Sequence, residues 1–169
     1  MTQITFRPAT VDDIPLLRHW DQQPHVILSD PNDDWEWEEE IPNDEDWREQ
    51  LIAELDRKPI GFMQIMDCYL DPQKYWGAVA PHTMALDIWI GEATELNKGY
   101  GSEMMKIAIR KCFNHYKAKV ILLDPLASNM DAHRFYERLG FEFVEPRKFG
   151  ADDCFVYQLK PEVWAKLDF

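Results

Sequence analysis

The stretch ELNKGYGSEMMKIAIRKCF, residues Glu95–Phe113, decides the fold. Gly99 and Gly101 stand two residues apart, where a β-prone segment gives way to an amphipathic helix. A glycine-rich loop in that position leaves several backbone N–H groups pointing in one direction, which suits a phosphate or a pyrophosphate. The same pattern also fits a tight turn before a core helix, so the two glycines alone leave both interpretations open.

Two familiar nucleotide-binding motifs do not fit this loop. A dinucleotide-binding fingerprint would need its third glycine at the position of Met104. A Walker A loop would need a Gly-Lys pair followed by Ser or Thr, which the loop lacks. The loop must therefore be interpreted from its neighbours.

Size and composition predict a single domain covering residues 1–169. A chain of 169 residues with 46% hydrophobic residues can bury a full core. It contains no apolar run of about 18 residues and no basic-then-apolar leader, so we expect a soluble, cytoplasmic protein that does not contact a membrane. The three cysteines are far apart and lack paired spacing, which predicts neither a disulfide framework nor a zinc site.

The charge of the chain limits its partners. A formal net charge of −13 argues against a nucleic-acid-binding surface, which needs basic patches. It permits a cationic partner or substrate, although plain solubility explains the charge equally well. The histidines show no metal-binding spacing, so no metal is predicted, and we expect His133 to lie on the surface of its helix.

The remaining hydrophobic patterns predict the other elements. Thr10 is a good N-cap for a short helix that ends near His19. Strands are predicted at Ile4–Pro8, Gln50–Leu55, Pro59–Asp67, His82–Gly91, Lys119–Asp124, Phe141–Glu145 and Cys154–Leu159, with a helix after Asn129 that ends at Gly140. The last two strands are expected to be joined by a turn over residues 150–153.

An acidic segment, defined here as residues 30–48, interrupts this regular pattern. Its sequence DPNDDWEWEEEIPNDEDWR mixes carboxylates with tryptophans and has few aliphatic residues. We interpret it as a loop-and-helix flap over one mouth of the domain, with Trp35, Trp37 and Glu38 among the residues that line that mouth, together with Glu36, Glu39 and Glu40. The alternative is a solvated acidic face with tryptophans packed beneath it.

One residue is out of place in the predicted strand HTMALDIWIG. Asp87 lies among Leu86, Ile88 and Trp89. An ionised carboxylate inside a sheet needs a cation, several hydrogen-bond donors or a solvent-filled cleft. Asp87 is therefore a candidate functional residue. The alternative is that its carboxylate has a purely structural role.

The order strand, Gly-x-Gly loop, helix, strand, followed by NMDAHRFYERLGF at Asn129–Phe141, resembles the GNAT acetyltransferases. The family's pyrophosphate loop has the form Gln/Arg-x-x-Gly-x-Gly/Ala, and residues 96–101 depart from it only in having Leu96 first. The resemblance implies an α/β (α+β) fold: a mixed central sheet of about seven strands, flanked by helices and splayed at the acetyl-CoA site.

The resemblance extends from Thr5 to Leu159. Within the GNAT family, the chain is most similar to the aminoglycoside 6′-N-acetyltransferases. The resemblance is carried by LDIWIGEATELNKGYGSEMM, ILLDPLASNMDAHRFYERLGFE and DDCFVYQL, a pattern that siderophore-type N-hydroxylysine acetyltransferases largely share. It implies acetyl transfer from acetyl-CoA to the 6′-amine of an aminoglycoside, a reaction of antibiotic resistance. Alternative acceptors are N-hydroxylysine, a polyamine or a protein amine. Alternatives without transfer are an acyl-CoA-binding module and an acidic protein-interaction module.

The resemblance also implies roles for individual residues. Asp87 would approach the amine, and Tyr136 would lie near the thioester sulfur, although a core tyrosine is the other interpretation of Tyr136. Substrate-binding candidates are Asp71, Asp87, Asp152, Trp35, Glu38 and Trp76. Cofactor-binding candidates are Ile88, Trp89, Ile90, Leu96, Asn97, Lys98, Gly99, Tyr100, Gly101, Ser102, Asn129, Ala132 and Tyr136. The expected oligomeric state is a monomer or a homodimer.

Overall fold

The structure is a computed structural model that describes residues 3–43 and 45–169. Asp44, which belongs to the acidic segment, lies outside the described residues. The strands are β1 (Ile4–Pro8), β2 (Arg48–Leu55), β3 (Lys58–Asp67), β4 (Thr83–Ile90), β5 (Val120–Leu123), β6 (Glu142–Phe149) and β7 (Asp152–Leu159). The α-helices are α1 (Ile14–Asp21), α2 (Pro24–Ser29), α3 (Trp37–Glu40), α4 (Tyr100–Asn114), α5 (Met130–Arg138) and α6 (Pro161–Trp164), with short 3₁₀ turns at Val11–Asp13 and Ala93–Glu95.

The seven strands form one mixed sheet in the order β1-β2-β3-β4-β5-β7-β6. β1 and β2 pair antiparallel, whereas β4 and β5 pair parallel, as expected for two strands joined by helix α4. The β4–β5 register runs from Thr83 to Ala85, while β4 itself continues to Ile90, in agreement with the predicted splay. The predicted α/β (α+β) fold with a mixed sheet is confirmed, and β4 is its fourth strand of seven.

By its internal contacts the chain forms two compact units, each described by itself. Unit 1 comprises Met1–Gln64 and Asp87–Met105, and unit 2 comprises Ile65–Leu86 and Lys106–Phe169. The core of unit 1 is rich in aromatic rings and contains Leu17, Trp20, Trp37, Ile41, Ile52 and Phe62. A core cluster of unit 2 contains Cys68, Trp76, Ala85 and Val156.

Local signals explain where α5 begins and where the first 3₁₀ turn, which leads directly into α1, begins. The Thr10 amide donates to Asp13 Oδ2 at 2.8 Å, which satisfies one of the donors that a helix start leaves open. The Asn129 side chain accepts from the Ala132 amide at 3.2 Å and caps α5, as predicted. Gly140 follows α5 with φ +97°, the left-handed conformation that favours glycine after a helix.

Three expectations from the sequence were wrong. His133 is buried, with Nε2 2.9 Å from the Leu126 carbonyl and its ring stacked on Phe155 at 4.9 Å, because this side of α5 packs on β7. The turn between the last strands is shorter than predicted, because Phe149 pairs directly with Asp152. Helix α2 was also missed, although Pro24 at its first turn is typical of a helix start.

Candidate active site

The glycine loop presents its backbone to open space. Asn97 and Gly99 adopt left-handed φ values of +60° and +84°, and α4 begins directly after them at Tyr100. A Cβ added to Gly99 would meet nothing within 4 Å. The first amides of a helix have no acceptor inside the helix, and the helix dipole gives this end partial positive charge. The loop therefore fits a pyrophosphate bound by backbone N–H groups.

The lysine of this loop is tied to the acidic residue before it. Lys98 Nζ and Lys58 Nζ each lie 3.3 Å from the Glu95 carboxylate. The hydrogen bond from Lys98 lowers the pKa of Glu95, with Lys58 adding to the effect. Two cations thus flank the start of the loop, a favourable setting for an anion.

Asp87 lies on the part of β4 that belongs to unit 1. Gln64 Nε2 donates to Asp87 Oδ2 at 3.0 Å, and Phe62 stacks on Trp89 with ring centroids 4.6 Å apart. Residues two apart on a strand point to the same side, so these two cross-strand pairs lie on one face of the sheet. The half-buried Asp87 carboxylate and the Trp89 indole consequently share a face.

Next to Trp89 lies a cleft that we call the acidic cleft. It holds about 570 Å³, counting the part open to solvent, and is lined by Arg18, Asp21, Val26, Ile27, Asp30, Asp33, Asp34, Trp35 and Trp89. Aspartates outnumber arginine four to one along its wall. The Trp35 ring meets Trp89 edge-on at 5.1 Å, and its Nε1 donates to Asp30 at 3.2 Å. Indole faces and carboxylates together suit a cation that also carries apolar or sugar surface.

The wall of the acidic cleft is held by hydrogen bonds from the core. Trp37 is fully buried and its Nε1 donates to Asp21 Oδ2 at 2.7 Å. Burial raises the pKa of Asp21 above its ordinary value, against the opposing effect of the Trp37 hydrogen bond. Trp37, predicted to line the mouth of the domain, is thus a core residue, as the alternative of an acidic face with tryptophans packed beneath it expects, and the role of the segment as a flap stays a prediction.

The end of β4 is braced by helices α1 and α2. The Gly91 amide donates to the Ile60 carbonyl at 2.8 Å, and His25 Nε2 lies 2.8 Å from the Ile90 carbonyl. A Cβ on Gly91 would fall 2.0 Å from the Trp20 ring. These contacts hold the backbone at Ile90 and Gly91, the end of the stretch that the sequence predicted to contact the cofactor.

The predicted residues of unit 2 lie in two groups. Asn129, Ala132 and Tyr136 lie on or directly before α5, and the half-buried Tyr136 ring is 5.9 Å from that of Phe141. Asp71 and Trp76 share the loop after β3. No distance here tests the catalytic role of Tyr136, which stays a prediction.

The geometry of the loop after β3 gives its predicted residues structural roles. Asp71 is buried, and its carboxylate accepts from the amides of Gln73 at 2.9 Å and Tyr75 at 3.0 Å. Trp76 is also buried, and its carbonyl accepts from Arg147. Asp152, half-buried, is the first residue of β7. Their part in substrate binding stays a prediction.

Sequence reasoning missed the residues that α1 and α2 contribute to the acidic cleft, which include two charged ones. Arg18 and Asp21 stand three residues apart on α1 and so point to one side of that helix. This spacing was visible in the sequence, but its meaning depends on the acidic segment folding back over the helix. Gln64, the partner of Asp87, carried no signal because the contact spans 23 residues.

Within residues 3–43 and 45–169, no three metal-ligating side chains are grouped to hold an ion. No helix in that part of the chain is long and apolar enough to cross a membrane.

Comparison with known proteins places this geometry in context. The family described as acetyltransferase (GNAT) domain matches residues 9–149. The aminoglycoside N(6′)-acetyltransferase type 1 of Klebsiella pneumoniae is 28% identical over 153 residues, covering 82% of this chain and 74% of the relative. The spermine/spermidine N(1)-acetyltransferase of Bacillus subtilis is 36% identical over 62 residues, covering 37% of this chain and 41% of the relative.

A solved structure extends the likeness to the whole chain. The aminoglycoside acetyltransferase AAC(6′)-Ib, in complex with coenzyme A and kanamycin, superposes with a TM-score of 0.85. It is 22% identical and covers 97% of this chain and 98% of its own. This likeness shows a shared fold.

Proposed function

Because the chain belongs to the GNAT acetyltransferases, a family that uses acetyl-CoA, we propose that it acetylates a primary amine of a polycationic small molecule. The 6′-amine of an aminoglycoside is the acceptor we favour, which would make the protein an antibiotic-resistance enzyme of the cytoplasm. The name of the Klebsiella pneumoniae relative supports this choice.

One observation carries the proposal: Asp87 shares a face with Trp89, and Trp89 lines a cleft where aspartates outnumber arginine four to one. An aminoglycoside carries several ammonium groups, and a carboxylate-lined concave surface attracts such a molecule over distance and pairs with it on contact. The indoles of Trp35 and Trp89 offer faces for sugar rings and cations.

Asp87 is proposed to hold and deprotonate the acceptor amine. An aliphatic amine is mostly protonated at neutral pH, and a carboxylate beside it forms a charge-assisted hydrogen bond. An ordinary aspartate, with a pKa of about 3.9, is a weak base, so positioning contributes more than basicity. Gln64 supplies part of that positioning, because its amide fixes one carboxylate oxygen of Asp87 at 3.0 Å.

The remaining steps balance as an aminolysis. The amine nitrogen forms a bond to the thioester carbonyl carbon, the carbon–sulfur bond breaks, and the amine proton passes to Asp87 directly or through a water. Backbone N–H groups of residues 88–90 are proposed to polarise the carbonyl, and those of the glycine loop to bind the pyrophosphate. Tyr136 would protonate the departing thiolate.

A second acceptor class is favoured by a specific observation. The Bacillus subtilis relative named as a spermine/spermidine acetyltransferase is more identical over its matched part than the aminoglycoside relative. Polyamines are flexible polycations and would use the same carboxylates. N-hydroxylysine or a protein amine carries fewer charges and makes less use of the acidic cleft.

The test is thiol release from acetyl-CoA across a panel of acceptors. We expect release with kanamycin-type aminoglycosides and none with a close analogue that carries a hydroxyl in place of the 6′-amine. Release with spermine alone would move the acceptor to the polyamines. Binding of coenzyme A without release for any amine would favour a non-enzymatic acyl-CoA-binding module.

A further inference from the structure

Among the described residues that line the acidic cleft, Arg18 is the one cation. Its Nε donates to Glu38 Oε1 at 3.1 Å, and its Nη2 pairs with the same carboxylate. Its Nη1 lies 3.4 Å from Asp34 Oδ1 and 3.7 Å from Asp21 Oδ2. One guanidinium thus contacts three carboxylates, two from the acidic segment and one from α1.

The exposure of these ion pairs allows another cation to take the place of Arg18. The Arg18 side chain is 37% exposed, and those of Asp34 and Glu38 are 73% and 59% exposed. Exposed pairs are screened by water and salt and contribute little to stability. Asp21 is the more buried partner, and its distance of 3.7 Å makes it the weakest of the three contacts.

We propose that Arg18 is a tethered competitor of the cationic acceptor: its guanidinium occupies a position that an ammonium group of the acceptor takes on binding. The inference rests on the proposed function, since it concerns the acceptor's cleft. An acceptor with one ammonium group exchanges one cation for another and gains little. An acceptor with several ammonium groups pairs with further carboxylates of the cleft and therefore binds in spite of the cost of displacing Arg18.

The test measures binding without acetyl-CoA, so that it does not depend on turnover. Dissociation constants for spermine, kanamycin and propylamine would be determined by calorimetry for the wild type, Arg18→Gln and Arg18→Lys. We expect Arg18→Gln to lower the constants for spermine and kanamycin by roughly threefold to tenfold, the range that a few exposed ion pairs support. The constant for propylamine should fall in about the same proportion, because every ligand that takes the position of Arg18 meets the same cost of displacing it, and Arg18→Lys should stay near the wild type.

Arg134→Gln is the matched control. Arg134 forms an exposed ion pair with Asp131 at 2.8 Å on α5, so its replacement removes the same charge and a similar pair outside the acidic cleft. It should leave all three constants unchanged. If Arg18→Gln does not fold, Arg18→Met, which removes the charge and keeps an unbranched aliphatic stem, carries the test.

The outcomes separate this inference from the proposed function. Tighter binding by Arg18→Gln supports the competitor role even if no acetyl transfer occurs. Unchanged or weaker binding by Arg18→Gln overturns the competitor role even if the enzyme is active. Arg18 would then only hold the acidic segment against α1. No binding of polycations to any variant overturns the competitor role as well.

Discussion

The glycine loop and the acidic cleft, which both belong to unit 1, are proposed to bind their ligands by opposite means. The loop uses backbone groups, set by two left-handed residues and the start of α4. The cleft uses side chains drawn from α1, α2, the acidic segment and β4. Binding by backbone groups tolerates changes of sequence and can therefore be shared across a family. Binding by side chains changes with single substitutions. We therefore propose that the glycine loop binds the acetyl donor and that the acidic cleft selects the acceptor.

Removing the Asp87 carboxylate should separate the two regions most clearly. We expect Asp87→Asn to lower kcat by about 100-fold or more, because a positioned acid–base group contributes on that order. The affinity for acetyl-CoA should not change, since the loop is untouched. Steady-state kinetics and calorimetry check both values. Asp12→Asn, at an exposed position of the first 3₁₀ turn, removes the same charge and should behave as the wild type.

Gly91 tests whether the end of β4 is rigidly supported. A Cβ there would lie 2.0 Å from the Trp20 ring, so Gly91→Ala must displace a fully buried indole. We expect a loss of about 2–3 kcal/mol in the free energy of unfolding, measured by denaturant titration. A change within about 0.5 kcal/mol, the range of a neutral surface substitution, would show that this packing is not needed.

Gly99 provides the contrasting case, because its constraint is conformational. Its φ of +84° disfavours a side chain, yet the space around it is open. Gly99→Ala should cost about 1–2 kcal/mol of backbone strain, which the loop relieves by moving, and so weaken coenzyme A binding by about fivefold to tenfold. Gly99→Asn, a residue that tolerates the left-handed region, should lose less. Equal losses for alanine and asparagine would argue against a conformational role.

Salt should affect the two ligands differently. Raising the ionic strength from 0.1 M to 1 M shortens the screening length from about 10 Å to about 3 Å. The KM of a polycationic acceptor should rise severalfold, because its attraction to a chain of net charge −13 is screened. The KM of acetyl-CoA, itself an anion, should not rise. Initial-rate measurements with each substrate varied in turn would show this, and a parallel rise of both KM values would contradict it.

The features that could be predicted from the sequence are set by local spacing. Those that could not be predicted are set by contacts between residues far apart in the chain. The strand bearing Asp87, the loop at Gly99 and the cap at Asn129 depend on local spacing, and the structure confirms all three elements. The burial of His133 depends on what packs against α5, which no local pattern gives. The role of Arg18 depends on two carboxylates 16 and 20 residues away, which the fold of the acidic segment brings to it beside its neighbour Asp21.

The acidic segment shows why composition alone was ambiguous. Its tryptophans differ in environment: Trp37 is fully buried in the core, whereas the Trp35 ring stacked upon it at 5.1 Å lines the cleft. Two residues of one type, two positions apart, thus have separate tasks. This difference depends on the packing of α3 against α1, which the carboxylate-rich sequence around the two tryptophans does not predict.

The most direct test of the central claim is the position of the acetyl group on the product. Purified protein, acetyl-CoA and kanamycin would be incubated, and the product analysed by mass spectrometry and NMR. Our account predicts a single acetyl group on the 6′-nitrogen, formed by the wild type and lost in Asp87→Asn. Acetylation at another nitrogen, or equal product from Asp87→Asn, would contradict it.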